Sequence, residues 1–143
     1  MAYLLHAAHS TLEVEQLVGL EHERVVCLRL GRTYDPACMQ LDEVLVASSS
    51  EAQQAIALCT VDVDEVPDIV ATMGIQSPTA LVFFYRSQLV SIAAGGQVSN
   101  HVYWPIQSKA EFMDLVATVH RGAKEGRKVV NSPKDVLIQA GYT

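Results

Sequence analysis

A layered α/β domain, with a central mixed β-sheet flanked by helices, is predicted for this chain of 143 residues. Three observations carry the prediction. Short apolar runs rich in β-branched and aromatic residues alternate with helical patterns. Each helical pattern opens on a capping signal. The length suits one domain with one substantial core, and 50% of the residues are hydrophobic against 18% charged, which excludes a disordered chain.

The helices come first because their starts are local signals. Ser10 with Glu13, and Ser108 with Glu111, fit the capping box, in which a hydroxyl and a carboxylate satisfy free N–H groups at a helix start. Asp35-Pro36 sets a favoured N-cap before a proline at the first helical position. Helices are therefore predicted from near 11, 36 and 109. In the last, Phe112, Leu115, Val116 and Val119 recur on one face before an expected stop at Arg121-Gly122. A shorter helix is predicted from Pro67 to Met73, stopping at Gly74.

Between the helices, Val25–Leu28, Ala57–Val61 and Ala80–Tyr85 read as strands buried on both faces. Arg86-Ser87-Gln88 turns the last of them into Leu89–Ala93, and Tyr3-Leu4-Leu5 offers a short edge strand. The order β-α-β-α-β-α-β-β-α, with parallel βαβ units followed by a hairpin and a closing helix, is that of the thioredoxin fold. Residues 1–121 are assigned to this thioredoxin-like domain, and 122–143 to a basic C-terminal extension packed on it or trailing from it.

Thioredoxins place Trp-Cys-Gly-Pro-Cys at the start of the second helix, whose N-terminus favours the attacking thiolate. The equivalent stretch here is Tyr34-Asp35-Pro36-Ala37-Cys38. Asp35 stands where the nucleophile would be and cannot attack a disulfide, and its charge opposes thiolate formation at Cys38. The buried acid of the preceding thioredoxin strand falls at Arg29, which never deprotonates. If it is buried in its strand, Arg29 needs a carboxylate partner, with Asp42 and Asp35 as candidates. Gly74-Ile75-Gln76-Ser77-Pro78-Thr79 resembles the thioredoxin loop with a cis proline, which implies a cis bond at Pro78.

Together, Arg24-Val25-Val26, Arg29-Leu30-Gly31, Asp35-Pro36-Ala37-Cys38-Met39, Leu41-Asp42-Glu43-Val44-Leu45, Val61-Asp62-Val63-Asp64-Glu65-Val66-Pro67-Asp68, Val82-Phe83-Phe84, Val119-His120-Arg121-Gly122-Ala123 and Ser132-Pro133-Lys134-Asp135 cover nearly the whole chain in order. The chain thereby resembles the thioredoxin-like Dim family of the spliceosomal U5 snRNP. The resemblance implies a nuclear, non-catalytic component of the U5 snRNP and the U4/U6.U5 tri-snRNP in pre-mRNA splicing. Its partners would be snRNP proteins, including the large U5 scaffold proteins, near snRNA or the 5′ splice site, and family members are linked to mitotic progression. Outside the particle the chain is expected to be monomeric. Many relatives carry a cysteine after the loop proline, where this chain has Thr79, so no redox pair with Cys38 is available. Residues 95–108 resemble the family's insertion.

No apolar run approaches the roughly 18 residues of a membrane span, and the N-terminus lacks a basic n-region, so the chain is expected to stay inside the cell, in the nucleus on the family reading. Cys27, Cys38 and Cys59 form no CxxC pair and no zinc spacing, and the five histidines show no paired ligand spacing. No cofactor or metal is expected. Asp62, Asp64, Glu65 and Asp68 read as a solvated loop, since carboxylates alternating along a strand end point apart. Tyr34, Tyr103 and Trp104 either stack on RNA bases or pack on the sheet. Although the net charge is −6, Arg121, Lys124, Arg127, Lys128 and Lys134 cluster near the C-terminus against Glu125 alone and form a candidate partner-binding surface. Two alternatives remain: a single-cysteine redox protein using Cys38, and a splicing-linked paralogue of the same family outside the U5 core.

Overall fold

The structure is a computed structural model that describes residues 5–133. Its elements run β1 (His6–Ala8), α1 (Thr11–Leu20), β2 (Val25–Gly31), α2 (Pro36–Ala52), β3 (Ile56–Asp62), α3 (Pro67–Met73), β4 (Thr79–Tyr85), β5 (Gln88–Ala94), β6 (Gln97–Ser99), α4 (Lys109–Lys124) and β7 (Val129–Asn131). The sheet order is β1-β3-β2-β4-β5-β6, with β7 beside β5. β2 is parallel to β3 and antiparallel to β4. All seven residues of β2 are buried, as its continuous apolar run requires of a central strand.

Alternation along β2 divides the core. Val25 and Cys27 join the larger cluster, with Leu45 of α2 and Phe112, Leu115, Val116 and Val119 of α4. Val26, Leu28 and Leu30 join the other, with Val14 of α1 and partly buried side chains of α3. By the same period of two, Arg29 points to the α2 side. There its Nε donates to Asp42 Oδ1 at 2.9 Å and an Nη donates to Oδ2 at 3.1 Å. The pair is buried, and Asp42, not Asp35, is the partner.

The helix starts stand as expected. Ser10 Oγ accepts from Glu13 N at 3.1 Å, and Ser108 Oγ from Glu111 N at 3.2 Å. In both boxes the glutamate reaches back to the residue before the cap: Glu13 accepts from His9 N, and Glu111 from Gln107 N at 3.1 Å. α3 ends on Gly74 at φ +67, with Ile75 N donating to Val70 O, a Schellman stop.

Several expectations change. α4 does not stop at Gly122. It runs on to Lys124 and closes at Gly126 (φ +86), where Arg127 N donates to Gly122 O and Gly126 N to Ala123 O. Position 121 therefore lies inside a helix, and the chain beyond it returns to the sheet as β7, with Val130 in the core. Gly122 has a packing reason: a Cβ there would come 2.3 Å from Val130 Cγ1. Gly122→Ala gains helix propensity of about 1 kcal/mol, but Val is stiff at χ1, so overpacking of about 1–3 kcal/mol decides the sign. A lower urea midpoint is expected, and an unchanged or higher one would show that β7 yields freely.

The edge strand is β1, whose Ala8 pairs with Val61; Leu5 lies before it, while Tyr3 and Leu4 fall outside the described residues. The bond before Pro78 is trans: among the described residues no peptide is cis. Trans is the ordinary preference of X–Pro bonds, and the αL turn at Gly74 already reverses the chain ahead of β4.

Residues 102–106 complete the sheet. β5 pairs with β4 only over Phe83–Tyr85, and Val102 takes the place beside Leu81 through Leu81 N to Val102 O and Val102 N to Leu81 O. From there Val102, Trp104 and Ile106 are buried while Tyr103 and Pro105 face out, a strand-like alternation. No helix among the described residues is long and apolar enough to cross a membrane.

Candidate functional site

The stretch expected at a thioredoxin's dithiol, Tyr34 to Cys38, lies where α2 starts against the end of β2 and the start of β4. Asp35 has extended backbone and caps α2, its carboxylate accepting from Ala37 N at 2.9 Å and Cys38 N at 3.4 Å. Pro36 follows at the first helical position, where its missing N–H costs nothing. Asp35 thus has a full structural purpose at the nucleophile's place.

Cys38 is fully buried. Its Sγ seats against Gly31, where an added Cβ would lie 2.7 Å from the sulfur and 3.1 Å from Thr79 Oγ1. The Thr79 hydroxyl donates to Leu30 O at 3.2 Å. Burial pushes the Cys38 thiol above its ordinary pKa; Arg29 pulls the other way, and Asp35 adds the smallest contribution. Desolvation, more than the neighbouring carboxylate, keeps this sulfur protonated. Cys27 and Cys59 are also free and buried, and burial raises Cys59 to about 11. A protonated, enclosed thiol is a poor nucleophile.

Around this centre the surface is apolar. Pro78 and Thr79 face Ala37 and Gln40 across a groove of about 220 Å³ closed by Tyr103 and Trp104. Trp104 is 7% exposed and meets Tyr103 edge to face at 5.2 Å, so it packs on the sheet. Tyr34 is 70% exposed; its hydroxyl donates to Asp64, which also accepts from Arg32 Nε at 3.0 Å. The acidic loop is tied up locally: Asp62 Oδ1 accepts from Asp64 N at 2.8 Å and Glu65 meets His9 Nδ1 at 2.8 Å. Among the described residues no group of three His, Cys, Asp or Glu side chains is arranged to hold a metal ion.

The basic residues sit on another face. Lys124, Arg127 and Lys128 border a groove of about 430 Å³ beside the β4–β5 turn, and Arg86 joins them there. Arg121 is exposed on α4 but does not line the groove, and Lys134 lies outside the described residues. No local pattern links Arg86 to residues 124–128; only the pairing of β5 with β7 does.

The profile of the family "Mitosis protein DIM1" matches residues 4–136. The Mitosis protein dim1 of Schizosaccharomyces pombe is 37% identical over 99% of this chain and 100% of its own length. The Spliceosomal protein DIB1 of Candida glabrata is 33% identical over 92% of each chain. Among solved structures, chloroplastic thioredoxin z superposes with a TM-score of 0.63 over 82% of this chain and 96% of its own, at 18% identity, which shows the thioredoxin fold.

Proposed function

The chain belongs to the mitosis protein DIM1 family, and from that premise we propose that it is a non-catalytic interaction scaffold in pre-mRNA splicing. In this reading it is a component of the U5 snRNP and the U4/U6.U5 tri-snRNP and works in the nucleus. Its contacts are snRNP proteins, including the large U5 scaffold proteins, close to snRNA or the 5′ splice site. Relatives named as spliceosomal proteins across nearly their full length support the assignment to splicing.

The observation that carries the non-catalytic part is Asp35. At the thioredoxin nucleophile's position it serves as a helix cap, and the sulfur left at Cys38 is enclosed and protonated. The fold keeps a thioredoxin's shape without its attacking group. The exposed Tyr34 and Tyr103 and the cations Arg121, Lys124, Arg127 and Lys128 are then candidate partner contacts.

Affinity purification of the tagged chain from nuclear extract is expected to recover U5 RNA; recovery of no spliceosomal RNA would overturn the assignment. With the purified protein, insulin disulfide reduction is expected to stay at the uncatalysed rate. Turnover that disappears in Cys38→Ser would replace the scaffold by the single-cysteine redox reading.

A further inference from the structure

We infer that the groove between the β4–β5 turn and the α4–β7 turn is a docking site for single-stranded RNA. This inference rests on the proposed role in splicing and gives it a surface. Topology builds the groove: β7 runs parallel to β5 with Ser91 beside Val129, and Ser91 N donates to Lys128 O at 2.8 Å. The turn before β5 and the turn before β7 therefore lie at one end of the sheet. Four cations from separate stretches of chain meet there: Arg86, Lys124, Arg127 and Lys128, all exposed. Glu125 lies 3.6 Å from Arg127 in an exposed and weak pair, which leaves most of this charge unneutralised.

Favourable interaction of cations with the C-terminus of α4 accounts for Lys124 in its last turn. It does not account for Arg86. Arg86 and Ser87 hold φ of +50 and +69, a two-residue turn of the kind that strongly favours Asn and Gly. An arginine in that conformation is strained, and among the described residues it meets no carboxylate: its Nε donates to the carbonyl of His22 at 3.2 Å and its guanidinium lies over the Tyr85 ring. No acid among those residues answers its charge, which leaves that charge open to an anionic ligand.

The floor tells which polyanion fits. Between the cations lie the Tyr85 ring, with Arg86 5.3 Å and Lys124 5.5 Å from its centroid, and the half-buried side chain of Leu89. A rim of positive charge over an aromatic and apolar floor matches a phosphate backbone with planar bases, whereas an acidic peptide offers the charge without the flat apolar faces. On a chain of net charge −6, RNA is repelled elsewhere and guided to this face.

Fluorescence anisotropy with the full chain and a labelled 12-nucleotide oligouridylate tests this. If three to four phosphates are neutralised, the log–log salt slope is about −2 to −3, a loss of about 15- to 50-fold between 50 and 200 mM salt. Arg86→Asn relieves the strained turn and removes one cation, so it is expected to melt no lower than the parent while its salt slope becomes shallower by about 0.7. Lys128→Glu is expected to weaken binding further without unfolding. No binding, unchanged affinity in both variants, or equal affinity for a polyglutamate peptide of the same length would overturn the inference. Because the assay contains no splicing particle, absent binding by a chain that still recovers U5 RNA would defeat the RNA groove alone.

Discussion

Arg29→Met is expected to destabilise the protein by about 3–5 kcal/mol, because it removes one partner of a buried ion pair and leaves the other charge in the core. Arg29 is 1% exposed and its fork holds both oxygens of Asp42. Burial raises the Asp42 carboxyl above its usual pKa while Arg29 pulls it back. A carboxyl raised in the folded state binds more protons there than in the unfolded chain, so stability falls as pH rises through its folded pKa. Without Arg29 that rise grows, so the penalty should be smaller near pH 4 than at pH 7, and chemical denaturation at the two pH values checks this. Among the described residues one Nη of Arg29 has no hydrogen-bond partner, and a buried pair often does no better than a hydrophobic one of the same size. Adding Asp42→Leu to Arg29→Met should accordingly recover much of the loss. A loss within error in the single variant, at pH 7, would mean that Asp42 finds other compensation.

Phe112→Ala carries a penalty of the same size, about 3–5 kcal/mol, from lost apolar burial and the cavity left behind. Phe112 is fully buried in the larger cluster, in the first turn of α4, where the helix lies over the sheet beside Val25, Cys27 and Phe83. At a urea dependence of about 2 kcal/mol per molar, the midpoint should drop by about 2 M with the slope unchanged. Since small domains hold only about 5–15 kcal/mol, this variant should approach the limit of folding. Met113, next in sequence and only partly buried, provides the control, and its alanine variant should shift the midpoint far less.

What was legible in the sequence was local. Ser10, Asp35 and Ser108 act on N–H groups two or three residues ahead, so their capping geometry is readable from spacing alone. The stripe from Phe112 to Val119 marks a buried face because the helical period places those residues together whatever they pack against. The loss of the dithiol was equally plain, since no packing turns Asp35 into a nucleophile. By contrast β6 and β7 are three residues each, too short for any period, and polar at half their positions.

The sequence by itself therefore determined the capped helices, the buried strands, the thioredoxin-like order and the absence of the attacking cysteine, all set by interactions within a few residues. Only the tertiary structure decided which acid holds Arg29, since strand parity and the position of α2 choose Asp42 over Asp35. It also decided that Gly122 marks a close approach to Val130 inside α4, where a glycine after basic residues reads as a stop. And it alone brought Arg86 to Lys128 across 42 positions of chain, because the pairing of β5 with β7 depends on long-range hydrogen bonds that no local pattern encodes.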